Sequence, residues 1–222
     1  MHGGPEAVII EVFGPISQCW LDHGFAYLTI NYRGSTTSGR EFLEKIWGNV
    51  GYWEVEDMVA ARAWLVNQGI AKPDQTFVTG WSYGGYLTLQ ALGTALWAGG
   101  MAGMAVADWA IAHVDTTDTL RSVRALRFGG TPEEIPERYA ASSPITYAEK
   151  VKAPIVIMQG RNDTRTPPGS IEMYEAKMKS LGKDIEVHWF DAGHGSISVE
   201  QNIAFQELML QFAYRILNSK DS

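Results

Sequence analysis

Hydrophobic residues along the chain form two alternating kinds of segment. Short runs of β-branched and aromatic residues are typical of buried strands, whereas apolar residues spaced by three or four positions are typical of helices. Strands are predicted at residues 25–32, 76–79, 104–107, 155–158 and 185–190, and helices at 54–68, 86–96, 170–181 and 199–217. The segments 99–103 and 129–136, which contain glycine and proline, are predicted to be loops. This order predicts an α/β fold whose mostly parallel sheet has helices on both faces.

Composition narrows the class of protein. A chain of 222 residues with 45% hydrophobic and 19% charged residues fits one folded domain. The net charge of −7 argues against a nucleic-acid partner, because such affinity comes mostly from clustered Lys and Arg. Cys19 is the only cysteine, so no internal disulfide is possible, as suits a reducing compartment. No apolar run is long enough to suggest a membrane partner, and the first residues do not resemble a signal peptide. We therefore expect a cytoplasmic protein, and without ligand-spaced clusters we expect no metal and no other cofactor.

The segment G-W-S-Y-G at residues 80–84 matches the pattern G-x-S-x-G and lies between a predicted strand and a predicted helix. A turn this sharp tolerates only glycine at its flanking positions and projects the serine hydroxyl above the sheet. The helix that follows directs its positive N-terminal end at the site. Ser82 is therefore the candidate nucleophile.

A serine hydroxyl is a poor nucleophile until a base removes its proton, so a histidine is required. His194 lies in D-A-G-H-G at residues 191–195, just past the last predicted strand, where the catalytic groups of such sheets collect. His188 lies inside a strand, His23 in a turn and His113 in a loop without other marks. His194 is therefore the predicted general base.

The orienting acid is expected between the serine and the histidine in the chain. Asp163 follows the predicted strand 155–158, and Asp108 follows the predicted strand before it. Asp191 is too close along the chain to reach the ring of His194 easily. We favour Asp163 and keep Asp108 as the rival; its carboxylate would accept the ring proton and hold the correct tautomer.

Several motifs together resemble the catalytic domain of the prolyl oligopeptidase family, most closely its acylaminoacyl-peptidase branch. They are G-W-S-Y-G-G-Y at 80–86, N-Y-R-G-S at 31–35, Q-G-R-N-D-T-R-T-P at 159–167 and D-A-G-H at 191–194. The resemblance implies an α/β-hydrolase fold over residues 1–222 and a Ser82, Asp163 and His194 catalytic triad. It implies a serine peptidase that cleaves short or N-acylated peptides through an acyl-enzyme. A carboxylesterase of small acyl esters is the alternative, and a non-catalytic binding domain is the third interpretation.

The resemblance also assigns the oxyanion hole. The segment H-G-G-P at residues 2–5 is similar to the family turn that supplies one N–H group, and the residue after the nucleophile supplies the other. The predicted donors are therefore Gly4 and Tyr83. The apolar segment 8–12 also looks like a strand that leads into a turn, which makes Gly14 the second choice for Gly4.

Arg121 resembles a family arginine that contacts substrate carbonyl oxygens. It lies in a basic segment together with Arg124 and Arg127, so a plain surface position is an equally good interpretation.

Family members carry a β-propeller before this domain and a strand that leads into H-G-G-P. We expect neither within residues 1–222, and without that strand one edge of the sheet would be unpaired. An unpaired edge is a template for another chain. The expectation is association into a homo-oligomer through this edge, or a different arrangement of residues 1–15.

Overall fold

The computed structural model describes residues 1–94 and 97–219. Within this part of the chain, four strands form one fully parallel sheet in the order β1-β2-β3-β4. The strands are β1 (Phe77–Trp81), β2 (Gly99–Gly103), β3 (Ile155–Gly160) and β4 (Ile185–Phe190). The predicted α/β class is confirmed.

Helices precede, connect and follow the strands. They are α1 (Pro15–Asp22), α2 (Arg40–Glu44), α3 (Tyr52–Asn67), α4 (Tyr83–Thr94), α5 (Trp109–Val114), α6 (Asp118–Phe128), α7 (Pro136–Ala141), α8 (Gly169–Ser180) and α9 (Val199–Asn218), with short 3₁₀ turns at Pro73–Gln75 and Pro144–Lys150. The predicted loop at 129–136 separates α6 from α7, but the helix predicted at 86–96 falls partly on residues 95–96, outside the described residues. Among the described residues, no helix has the length and hydrophobicity needed to cross a membrane.

The sheet has a hydrophobic core on each face. Successive side chains of a strand point to opposite faces, so Ile155 and Ile157 of β3 enter one core while Val156 and Met158 enter the other. The first core contains the buried faces of α3, α4 and α8, and the second contains that of α9. Apolar strands covered on both sides are what a buried parallel sheet requires.

The structure corrects the prediction of a loop at 99–103 and a strand at 104–107. The glycine-rich segment is β2, in the middle of the sheet, and the strand ends before Met104, which has a φ of +41°. A Cβ atom at Gly100 would collide with Leu92 of α4, and one at Gly103 would collide with the ring of Trp81. The glycines are therefore there because neighbouring elements pack closely on this strand.

The predicted strand at 25–32 is also wrong. No described strand pairs with these residues, and a groove of about 670 Å³ is lined by this segment together with β1. Leu28 and Ile30 line this groove together with Val78 of β1. The amino group of Met1 donates to the Thr79 carbonyl at this free edge of β1.

We expect the free edge of β1 to promote self-association of the chain, as an unpaired edge offers backbone groups to a second strand. Leu28→Lys places a charge on the groove wall and should lower the associated fraction at a given concentration. Light scattering over a concentration series measures this. Leu126→Lys, at an exposed leucine of α6, should leave association unchanged. A chain that stays monomeric at every concentration would contradict the expectation.

Candidate active site

The nucleophile elbow lies between β1 and α4. Ser82 connects the last residue of β1 to the first residue of α4 and has a φ of +60°, a left-handed conformation that L-residues rarely adopt. A Cβ atom at Gly80 would collide with the carbonyl of Gly84 across the turn. A Cβ atom at Gly84 would collide with the Met1 carbonyl. Both glycines of the G-x-S-x-G pattern are therefore required by close backbone approach.

The elbow is also attached to β2. The Ser82 N–H donates to the Gly103 carbonyl at 2.8 Å, and a Cβ atom at Gly85 would lie 2.5 Å from the same oxygen. This contact holds Ser82 at the carboxyl ends of β1 and β2, where parallel sheets present their sites.

The loops after β3 and β4 are held against each other beyond the end of the sheet. The Asn162 N–H donates to the Ala192 carbonyl at 3.1 Å. A Cβ atom at Gly160 would collide with the Gly193 carbonyl, so the two loops approach as closely as two backbones can. Asp163 and His194, the predicted acid and base, are the next residues in the two loops. The loop contacts therefore bring their side chains close together.

The structure brings the three predicted triad residues together. His194 Nε2 lies 2.9 Å from Ser82 Oγ, and His194 Nδ1 lies 2.8 Å from Asp163 Oδ2. The Asp163 side chain is fully buried, whereas that of His194 is 15% exposed. Because a carboxylate only accepts hydrogen bonds, Nδ1 carries the ring proton and donates it in a hydrogen bond to Asp163, which leaves Nε2 unprotonated and able to accept the Ser82 proton.

Asp163 has further partners that favour its charged form. Its Oδ1 accepts hydrogen bonds from the N–H groups of Arg165 and Thr166, and its Oδ2 accepts one from the Thr166 hydroxyl at 2.7 Å. Burial opposes ionisation, but the hydrogen bonds from His194 and Thr166 outweigh it and lower the pKa of Asp163. Thr166 was missed in the sequence analysis, although a threonine three residues after an aspartate is typical of such a turn.

Gln159 is a second residue that the sequence analysis missed. It is fully buried at the end of β3, and its side chain accepts a hydrogen bond from the Ala105 N–H at 3.0 Å and donates one to the Thr166 carbonyl at 2.9 Å. It thereby joins the loop after β2 to the loop of the acid. The signal was a polar residue directly after the apolar run of β3.

The turn at residues 2–5 lies beside the nucleophile. A Cβ atom at Gly3 would lie 3.3 Å from Ser82 Cβ and 3.8 Å from its Oγ. The Tyr32 hydroxyl donates to the His2 carbonyl at 2.9 Å, and Ser35 Oγ lies 2.9 Å from His2 Nε2. This location suits an oxyanion-hole turn, but the roles of Gly4 and Tyr83 stay predictions.

Tyr83 is the first residue of α4, so its N–H has no partner within the helix. Gly14, the alternative to Gly4, instead precedes α1 and packs against Ser17 of that helix.

The rival acids have other roles. Asp108 caps the N-terminus of α5 and accepts hydrogen bonds from the N–H groups of Ala110 and Ile111. Asp191 is exposed and lies 3.7 Å from the guanidinium group of Arg161. The geometry therefore favours Asp163 over both.

Arg121 donates to the Thr116 carbonyl at 2.9 Å and lies 3.6 Å from the Asp118 carboxylate. Its guanidinium group is thus engaged with the turn before α6, and its contact with substrate stays a prediction. In residues 1–94 and 97–219, no three His, Cys, Asp or Glu side chains are grouped closely enough to hold a metal ion.

The parallel sheet, the strained elbow and the Ser–His–Asp arrangement define an α/β-hydrolase fold. The sequence model of the prolyl oligopeptidase family matches residues 12–220. The chain therefore belongs to the prolyl oligopeptidase family, as the motifs implied.

Several relatives with curated descriptions are similar to this chain in sequence. Dipeptidyl aminopeptidase BIII of Pseudoxanthomonas mexicana is 31% identical over 238 aligned positions, which cover 99% of this chain and 33% of that protein. Acylamino-acid-releasing enzyme 2 of Oryza sativa subsp. japonica is 27% identical, with 91% of this chain and 28% of the relative covered. The chain thus spans about a third of the length of these relatives.

Solved structures share the fold. A puromycin-hydrolysing peptidase of Mycobacterium tuberculosis superimposes with a TM-score of 0.93 at 26% identity, over 97% of this chain and 33% of that one. The acylaminoacyl peptidase of Pyrococcus horikoshii gives a TM-score of 0.82 at 27% identity, over 88% of this chain and 32% of the other.

Gly80→Ala should destabilise the elbow, because the new methyl group meets backbone that cannot move aside. We expect the free energy of unfolding to fall by at least ~2 kcal/mol, in the range of severe overpacking. Urea denaturation measures it. Gly193→Ala is the matched control, because its nearest atom would be the Asn162 carbonyl oxygen at 3.6 Å. Equal stability of the two variants would contradict this account of the elbow.

The lowered pKa of Asp163 predicts a pH-dependent contribution to stability. A lowered pKa in the folded state stabilises the protein above the ordinary aspartate value of about 3.9, and that stabilisation is lost as pH falls through the lowered value. The difference in unfolding free energy between wild type and Asp163→Asn should therefore shrink as pH falls from about 5 to about 2. Urea denaturation across this range measures it. Asp191→Asn, at an exposed position, serves as the control; a constant difference for Asp163→Asn would refute the prediction.

Proposed function

We propose that this chain forms the catalytic centre of a serine hydrolase that works through an acyl-enzyme and cleaves short or N-acylated peptides. The observation that carries the proposal is the continuous relay from Ser82 Oγ through both ring nitrogens of His194 to Asp163. Such a relay has one well-known use, which is to make a serine hydroxyl nucleophilic.

The proposed reaction has two halves. Ser82 Oγ adds to the substrate carbonyl carbon while its proton passes to His194 Nε2, and Asp163 stabilises the imidazolium that forms. His194 then protonates the leaving group, and the tetrahedral intermediate collapses to the acyl-enzyme. In the second half, His194 takes a proton from water as the water oxygen attacks the acyl carbon. It then returns the proton to Ser82 Oγ as the bond to the acyl carbon breaks and the acid product leaves. The N–H groups of Gly4 and Tyr83 are the proposed donors to the oxyanion, each worth roughly 3–4 kcal/mol.

The preference for peptides rests on the relatives. The names of those described above refer to the release of dipeptides or acylated amino acids and to the hydrolysis of puromycin. Small acyl esters are the second candidate, because esters react through the same acyl-enzyme. We further propose a cytoplasmic location, which the lone Cys19 suits, and self-association through the free edge of β1.

Ser82→Ala should lower kcat/KM by several powers of ten, because the relay then has no nucleophile to activate. A fluorescent organophosphonate should label the wild-type chain and fail to label the variant. Ser180→Ala, at an exposed serine at the end of α8, should be labelled and turn over like wild type. Substantial turnover by Ser82→Ala would refute the assignment of the nucleophile.

Substrate class is tested by comparing nitrophenyl acetate with an N-acetyl-aminoacyl anilide on the same preparation. Turnover of the anilide supports the peptidase. Turnover of the ester alone would indicate a carboxylesterase instead. A folded chain that cleaves neither substrate would support the non-catalytic binding domain.

A further inference from the structure

Glu54 is a buried carboxyl group that the catalytic relay does not use. It lies in the first turn of α3 with no exposed surface. Burial raises the pKa of Glu54 to about 7, although hydrogen bonds from Tyr83 and Gly51 act in the opposite direction. An ionisable group at such a position is costly for the fold, and an apolar side chain of similar size is often as stable.

The hydrogen bonds of Glu54 connect two helix N-termini. Its Oε1 accepts a hydrogen bond from the Tyr83 hydroxyl at 2.5 Å, and its Oε2 accepts one from the Gly51 N–H at 3.0 Å. Gly51 is the N-cap of α3, and Tyr83 is the first residue of α4, directly after the nucleophile. Glu54 thus fixes the hydroxyl end of the Tyr83 side chain. The backbone N–H of the same residue is the proposed oxyanion donor.

Other aromatic rings hold Tyr83 from the sides. The Tyr86 ring lies edge-on at 5.2 Å, and the Tyr32 ring is stacked at 6.4 Å. Tyr32 also donates to the His2 carbonyl and stacks on the His2 ring at 4.2 Å. The cluster anchored by Glu54 therefore also contacts the turn that carries Gly4.

A salt bridge between Arg127 and Glu6 also borders the cluster. Arg127 Nη2 lies 2.8 Å and 2.7 Å from the two carboxylate oxygens of Glu6, and the Arg127 side chain is only 11% exposed. The guanidinium carbon lies 6.0 Å from the centre of the Tyr83 ring. Glu6 follows the turn at residues 2–5, so the two proposed donors lie within one connected set of contacts.

We propose that Glu54 is a positioning residue of the oxyanion hole, which fixes the Tyr83 peptide through the hydrogen bond to the Tyr83 hydroxyl. This inference rests on the function proposed above. The contact holds the N–H group in place before the oxyanion forms, so it lowers the energy of the tetrahedral intermediate more than that of bound substrate. Small displacements of such a donor are expensive, since misplacement by about 1 Å can cost on the order of 100-fold in rate.

Glu54→Met keeps the volume and removes both acceptors, and Tyr83→Phe removes only the hydroxyl. Each should lower kcat by about 10- to 100-fold and leave KM within about twofold, because ground-state binding does not use the oxyanion donors. Affinity for a peptide boronic acid, which mimics the tetrahedral intermediate, should fall by a similar factor. Glu54→Gln retains an acceptor for the hydroxyl and should stay within about threefold of wild type.

The double variant Glu54→Met with Tyr83→Phe separates positioning from general destabilisation. Because both changes break the same contact, their effects should not add. The kcat of the double variant should lie within about threefold of that of the less active single variant. Tyr139→Phe is the matched control, because it removes a buried hydroxyl that donates to the Gly130 carbonyl at 3.2 Å, and its kcat should equal that of wild type.

All rates are divided by the fraction of chains that an organophosphonate labels, so unfolded protein does not count. If Glu54→Met does not fold, Tyr83→Phe alone carries the test. Wild-type kcat in the single variants, additive losses, or a rise in KM without a change in kcat would each overturn the proposal while leaving the proposed function intact. A wild-type chain that is neither labelled nor active would instead refute the proposed function.

Discussion

Backbone segments approach one another at the end of β1 more closely than any side chain would allow, and the rest of the site depends on that approach. Gly80 lets the chain reverse direction, Gly84 makes room for the backbone of Met1 and His2, and Gly85 lets α4 touch β2. The reversal places Ser82 in a left-handed conformation, which costs roughly 1–3 kcal/mol and persists only where the surrounding structure determines it. Here the bond to the Gly103 carbonyl and the buried start of α4 do so.

A parallel sheet then delivers the other two groups. All four strands run in the same direction, so the loops after β3 and β4 emerge at the edge where the elbow lies. Contacts between these loops continue beyond the last paired residues, and the relay distances of 2.8 Å and 2.9 Å follow from that continued contact. Residues separated by 112 positions therefore meet without a flexible connection.

Buried polar side chains hold the loops and the helix that carry these groups. Gln159 joins the loop after β2 to the loop of Asp163, Thr166 orients the carboxylate, and Glu54 reaches the first residue of α4. Gln159 interrupts the apolar run of β3, and an interruption of this kind is detectable in a sequence. The partners of these three side chains are not detectable, because a hydrogen bond across 29 or 54 positions depends on which elements pack together.

The sequence by itself determined the α/β class and the elbow at 80–84, and it favoured Asp163 and His194 while Asp108 stayed open as the acid. These follow from local requirements: glycine where backbones touch, and polar groups directly after apolar strands. The tertiary structure decided the rest. Residues 99–103 have low strand propensity, yet they form β2 because β1 and β3 pair with them on both sides. Glycine is needed there because α4 and the Trp81 ring pack closely on the strand. Residues 25–32 have high strand propensity, yet they pair with no described strand. A strand exists only where a partner lies at hydrogen-bonding distance, and propensity cannot supply that partner.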